Sequence, residues 1–222
     1  MLRLRVTAPG ATYPLRMPAV GFRSPLLRAA SDEKLIALTR RGRDDAYETL
    51  VERYRPRLLA FIQHMLRSRE DAEDVLQEVY VAALRAMRSD DRPIHAKPWL
   101  YRIARNRALN HLRRPTDVGV ESMDAFESHG AASSALDAVA GRERLREIVS
   151  DVHGLPESQR TALILREFDA LSYNEIADTM DTTVPAVKSL LVRARMGLAS
   201  AAMERTEAAD AAVAAGAAAA SA

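Results

Sequence analysis

At 222 residues, with 48% hydrophobic, 28% charged and only 5% aromatic residues, the chain suits a soluble helical protein of one large domain or two small ones. The absence of Cys excludes disulfides, thiolate nucleophiles and Cys-based zinc sites, and points to a reducing, cytoplasmic setting. A formal net charge of +2 is too small to announce a nucleic-acid ligand, so the placement of charge carries the argument.

Residues 1–30 hold five Arg and no acid and are interrupted by Pro9, Pro14, Pro18 and Pro25. They lack the continuous apolar core of a signal peptide and read as a disordered basic arm. No stretch reaches the roughly 18 consecutive apolar residues of a membrane span, so no membrane insertion is expected. From residue 31 to Arg114 helical periodicity dominates. Ala46, Leu50, Tyr54 and Leu58 recur every four residues as one apolar stripe. A second stripe runs through Ala72, Val75, Leu76, Val79, Tyr80 and Ala83, and a third helix is predicted to start after Pro98 with Trp99, Leu100, Ile103, Ala104 and Ala108.

The character changes from Pro115 to Gly141, where periodicity fades and Asp117, Glu121, Asp124, Glu127 and Asp137 face no base. This segment reads as a flexible acidic linker. Extended at 3.3–3.6 Å per residue it would reach roughly 90 Å. Helical periodicity returns over residues 142–203, and the Ala-rich tail 204–222 has too little side chain to build a core. The expected fold is therefore all-α, with two small helical domains joined by the linker.

The segment from Leu171 to Arg195 is the most informative. Ser172 and Glu175 form a capping box before a helix carrying Ile176, Ala177 and Met180. A break at Asp181 and Thr182 follows, and Thr183 can cap a second helix whose first turn tolerates Pro185. Val187, Leu190 and Leu191 would bury. Pro185, Ala186, Lys188, Ser189, Val192, Arg193 and Arg195 would stay outside, with no acid between Asp181 and Glu204. This is the pattern of a helix-turn-helix whose second helix enters the major groove; a helical hairpin with a solvated basic face has the same pattern. Asp181 stands where such turns usually carry Gly, and Asp is among the few residues that tolerate positive φ.

In the first domain, Asp71, Asp74 and Glu78 line up opposite the second apolar stripe, an acidic face unsuited to DNA. From Arg85 to Arg114, by contrast, nine Lys and Arg oppose only Asp90 and Asp91, with Trp99 and Tyr101 interleaved. Basic charge with aromatics suits unstacked single-stranded bases, although Trp99 could equally be core. Arg102, Asn106, Asn110 and Arg113 share a face that can follow a phosphate backbone.

DAEDVLQEVYVAAL, PWLYRIARNRALNHLRR, LPESQRTALILREFDALSYNEIA and VKSLLVRAR resemble, in order, the hallmark segments of extracytoplasmic-function sigma factors of the sigma-70 family, and the resemblance covers both domains, about Asp44 to Leu198. The resemblance implies sigma region 2 over residues 31–114 and region 4 over residues 142–203. It implies that Asp71, Asp74, Gln77 and Glu78 dock on core RNA polymerase. Arg92, Trp99, Tyr101, Arg102, Arg105, Asn106, Asn110 and Arg113 would open and read the promoter −10 element. Thr183, Pro185, Ala186, Lys188, Ser189, Arg193 and Arg195 would read the −35 element. An anti-sigma factor is a further implied partner. Leu84 stands where Trp is common, Asn110 where Asp is common, and Asp181 where Gly is usual.

The five His residues, at 64, 95, 111, 129 and 153, share no metal-ligand spacing, and no Ser, His and Asp group is suggested, so no catalytic residue, metal or cofactor is expected. The acidic linker, lacking any base, is expected to thread a positively charged polymerase channel. Two rival functions fit part of the chain. A conventional DNA-binding regulator leaves the acidic helix without a purpose, and an interaction adaptor leaves the helix-turn-helix without one.

Overall fold

A computed structural model of the chain describes residues 25–66, 68–114 and 135–220. Among these residues every regular element is an α-helix: α1 Pro25–Arg28, α2 Asp32–Arg40, α3 Asp44–Leu66, α4 Arg69–Ser89, α5 Ala96–Leu112, α6 Ala135–Gly154, α7 Glu157–Glu167, α8 Tyr173–Met180 and α9 Val184–Ala220.

Local chemistry sets the helix starts. The Ser31 hydroxyl accepts from the Lys34 amide to open α2, and the Ser68 hydroxyl accepts from the Asp71 amide at 3.2 Å to open α4. Acids follow in the first turns of both, where the helix dipole favours them. The apolar stripes of α3 and α4 then meet those of α2 and α5, burying Leu35, Leu50, Leu58, Phe61, Val75, Val79 and Met87. The second half of the chain closes around Ile164, Leu165, Leu171, Ile176, Val187 and Ala194. Each large aliphatic side chain taken fully out of water contributes about 1.5–3 kcal/mol. The buried threonines Thr39, Thr49 and Thr179 each donate a hydroxyl to the carbonyl four residues earlier, at 2.7–2.8 Å.

The two halves are not separate. α5 lies along α8, α3 touches α7, and the buried residues of both halves form one continuous cluster. At the seam the Thr161 hydroxyl reaches the Met65 sulfur at 3.6 Å, and Thr179 reaches the Pro98 carbonyl at 3.3 Å.

Three expectations change at element ends. The third helix of the first half begins at Ala96 rather than after Pro98. Pro98 sits in its first turn, where amides lack intrahelical partners and a ring is tolerated. The end of the basic arm is structured: α1 falls within residues 1–30, and Leu27 and Ala30 are buried. α6 starts at Ala135, ahead of the expected restart near Arg142, because the ALDAVA stretch is rich in strong helix formers. The rest of the linker, 115–134, and the arm up to residue 24 lie outside the described residues. The Ala-rich tail continues α9 without a break, and the fixed end of a packed helix supplies the nucleus that an isolated tail would lack. No helix among the described residues is long and apolar enough to cross a membrane.

Candidate nucleic-acid and partner interfaces

The helix-turn-helix forms as its local chemistry requires. Ser172 Oγ accepts from the Glu175 amide at 3.2 Å while Glu175 Oε2 accepts from the Ser172 amide at 2.7 Å. Asp181 ends α8 in the left-handed region at φ 54°. The Thr183 hydroxyl accepts from the Ala186 amide and starts α9. Val187 and Leu191 are buried and Leu190 half-buried, which turns Pro185, Lys188, Ser189, Val192, Arg193 and Arg195 to solvent, with Ala186 half-buried.

The basic side chains of this face are already steered. Lys188 Nζ lies 5.7 Å from the centre of the Tyr173 ring and the Arg166 guanidinium 4.7 Å from it, so one aromatic ring carries two cations. Arg193 Nε donates to the Ser189 carbonyl at 3.3 Å, and Ser189 Oγ donates to the Pro185 carbonyl at 3.1 Å. Arg195 turns aside to Glu167 of α7 at 2.8 Å.

On α4 the acidic residues divide into two groups. Asp74 is exposed and Gln77 half-buried. Glu78 lies 3.7 Å from the Arg107 guanidinium and 3.5 Å from that of Arg114, and Asp71 lies 3.6 Å from His111 Nε2. The acidic side of α4 therefore leans on the basic side of α5. Spacing within α4 alone cannot reveal this, because the partners come from the next helix.

On α5, Asn106, Asn110 and Arg113 are exposed and Trp99 is half-buried against the core. Arg92, in the loop before α5, is 87% exposed in its side chain and bonded to Asp90. Tyr101 must be removed from the base-facing set: it is 0% exposed, stands edge-on to Phe61 with ring centres 5.3 Å apart, and donates its hydroxyl to Asp169 Oδ1 at 2.6 Å. The buried arc of α5 is wide, running from Leu100 through Ala104, Ala108 and Tyr101 to Leu109, and α3, α4 and α8 all pack against the helix. Arg102 also points into the seam, donating to the Asp178 carbonyl from Nε at 2.8 Å and from its terminal nitrogen. Arg105 pairs with Glu157 at 2.9 Å, and Lys97 with Glu175 at 3.3 Å.

Asp169 is the residue that pattern reading missed. Burial pushes its carboxyl up to about 6, against the opposing effects of the Tyr101 hydroxyl and the charges of Lys97 and Arg57. Its Oδ2 is buried without a hydrogen-bond partner. Its neighbour Ala170 has φ 51°, a value costly for a side chain with a Cβ. A lone Asp after a Phe carries no sequence signal of this role. Among the described residues no group of His, Asp and Glu could hold a metal.

A capped helix-turn-helix joined to a second basic helix with exposed Asn and Arg places the protein in the class of DNA-binding transcription proteins. Comparison narrows the class. Residues 50–117 match sigma-70 region 2 and residues 146–198 match sigma-70 region 4. The RNA polymerase sigma-H factor of Pseudomonas aeruginosa is 39% identical over 181 residues, covering 77% of this chain and 93% of that protein. The ECF RNA polymerase sigma-E factor of Escherichia coli K12 is 38% identical over 174 residues, covering 74% of this chain and 91% of that one. Among solved structures, CnrH in complex with the cytosolic domain of CnrY is similar with a TM-score of 0.58 at 25% identity, covering 76% of this chain and 95% of CnrH. The sigma factor RpoE of Bartonella quintana, solved with the anti-sigma factor NepR, is similar with a TM-score of 0.51 at 26% identity, covering 67% and 91%. The chain belongs to the extracytoplasmic-function branch of the sigma-70 family and is a non-enzymatic transcription-initiation factor that directs RNA polymerase to promoters.

Proposed function

We propose that the exposed face of α9 reads the −35 element through Thr183, Pro185, Ala186, Lys188, Ser189, Arg193 and Arg195. The observation that carries this reading is the acid-free, solvent-facing row beyond a capped turn. Lys188 and Arg193 supply phosphate charge, while Ala186 and Ser189 are small enough to let the helix approach base edges. Arg195 contributes less in the free protein, because Glu167 already holds it.

Asp71, Asp74, Gln77 and Glu78 form the polymerase-facing edge of α4. Asp74 meets the partner directly, and α5 holds the Asp71 and Glu78 carboxylates in place. Arg92, Trp99, Arg102, Arg105, Asn106, Asn110 and Arg113 serve the −10 element. Since Arg102 and Arg105 are committed to α8 and α7 in the docked arrangement, the seam has to open before the full set can act. The acidic segment 115–134 is the connector that permits this. The protein works in the cytoplasm beside its polymerase, and an anti-sigma factor is its restraining partner, a reading supported by the RpoE complex with NepR.

The test is binding of holoenzyme to a −35 duplex across a salt series. Replacing Lys188 and Arg193 by Ala should weaken binding and flatten the salt slope by about one unit for each phosphate that the helix no longer neutralises. Unchanged affinity and slope would remove α9 from the reading surface.

A further inference from the structure

We infer that Arg40, at the end of α2, is a positioning residue for −10 recognition, holding the loop from Asp90 to His95 in one form before DNA arrives. This inference rests on the proposed −10 reading. Its starting point is the unusual end of α4. The chain leaves that helix through Asp90 in an extended conformation, φ −144° and ψ 130°, without the Gly that commonly closes a helix. The last carbonyls of α4 therefore need outside donors.

Arg40 supplies one and reaches further. Its Nε donates to the Met87 carbonyl at 3.3 Å, within the last turn of α4. One terminal nitrogen donates to the Asp91 carbonyl at 3.3 Å and the other to the Arg92 carbonyl at 2.6 Å. Asp91 Oδ1 lies a further 3.9 Å from Nε. The side chain is only 19% exposed; its bond to Met87 is part-buried, while the two terminal bonds to the loop lie at the surface. A planar guanidinium with five donors in a fixed fork can span three carbonyls in this way, and a Lys ammonium on its flexible stem cannot hold the same geometry.

The loop fixed by Arg40 carries its own clasp. The Arg92 amide donates to Asp90 Oδ1 at 2.9 Å, and Arg92 Nε donates to Asp90 Oδ2 at 2.6 Å. Arg40 thus grips the backbone on either side of the bond joining Asp91 to Arg92, while Asp90 aims the exposed Arg92 side chain. The loop leads directly into α5, whose first turn brings Trp99 against the core. A loop held at three backbone carbonyls by a half-buried cation on another helix loses little freedom when it meets DNA, and that preorganisation converts into discrimination between bases.

The experiment uses holoenzyme and a panel of promoters carrying single-base changes in the −10 element, with melting followed by 2-aminopurine fluorescence. Affinity for core polymerase and for a −35 duplex is measured alongside. With Arg40→Ala, the ratio of melting on the preferred to the single-base variants should fall about tenfold, the scale of losing charge-assisted hydrogen bonds, while core and −35 affinities stay at parental values. Arg40→Lys keeps the charge and can still cap α4, so it preserves the fold if Arg40→Ala does not. It should give an intermediate ratio with a parental thermal midpoint. Arg92→Ala is run as the control. Loss of discrimination in Arg92→Ala, with parental discrimination in Arg40→Lys and in any folded Arg40→Ala, would overturn the positioning role and leave the −10 reading standing. Parental discrimination in all three variants would overturn both.

Discussion

Tyr101 on α5 and Asp169 after α7, 68 positions apart in the chain, share a 2.6 Å hydrogen bond at the seam between the two halves. The hydroxyl donates to a carboxylate that burial holds near pKa 6 and that sits between Lys97 and Arg57. Once the seam opens, water solvates the carboxylate and its pKa falls back toward the ordinary range near 4. The docked form therefore binds a proton more tightly than the open form. Docking carries its full charge penalty above pH 6 and loses it as pH falls from 6 toward 4. Energy transfer between dyes on α4 and α9 should report a docked fraction several times higher, relative to open, at pH 5 than at pH 7. Asp169→Asn should remove that rise and leave only the opposite trend of His64, which burial at the seam beside Phe168 keeps neutral and which protonates more readily once exposed. A flat pH profile in the parent protein would show that Asp169 does not control the seam.

Asp74 is exposed on α4, opposite the buried stripe. Asp74→Lys should therefore change folding stability by no more than about 0.5 kcal/mol, the usual range for surface substitutions. Its affinity for core polymerase should drop sharply, because the charge is reversed at the edge proposed to dock on the polymerase. Glu78→Lys should cost some stability as well, since it faces Arg107 and Arg114. Parental core affinity for Asp74→Lys, measured by fluorescence anisotropy, would move the polymerase contact off this helix.

Asp181 adopts φ 54° at the turn of the helix-turn-helix. A Cβ is costly there and Gly carries no such cost, although Gly gains more freedom in the unfolded chain. Asp181→Gly should raise stability by about 0.5–1 kcal/mol, seen as a higher thermal midpoint, and leave −35 binding intact. A lower midpoint would mean that the Asp side chain contributes something a Gly cannot replace.

Part of the protein is legible in its residues and part is not, and range along the chain divides the two. The capping box at Ser172 and Glu175, the tolerated αL position at Asp181 and the buried row of Val187 and Leu191 are decided by neighbours within one or two turns, so pattern reading reaches them. The burial of Tyr101 is decided by Phe61 of α3 and by Asp169 between α7 and α8, far along the chain. A helix buried over a wide arc no longer shows a single apolar stripe, and an aromatic residue in a basic stretch then looks like a base-stacking group. Glu78 and Asp71 read as a free acidic face for the same reason, since Arg107, Arg114 and His111 reach them from a neighbouring helix. Arg40 left no trace at all, because its partners are backbone carbonyls, which any sequence would supply.

This chain turns core RNA polymerase into a promoter-melting enzyme without doing chemistry itself, and everything proposed for α4, α5 and α9 depends on that. Permanganate footprinting of a cognate promoter, with run-off transcription from the same template, tests it most directly. Reactive thymines at the −10 element and a discrete transcript should appear only when chain and core polymerase are both present, with both signals reduced by Asp74→Lys. Footprints and melting that are the same without core polymerase, or no melting with it, would contradict this role.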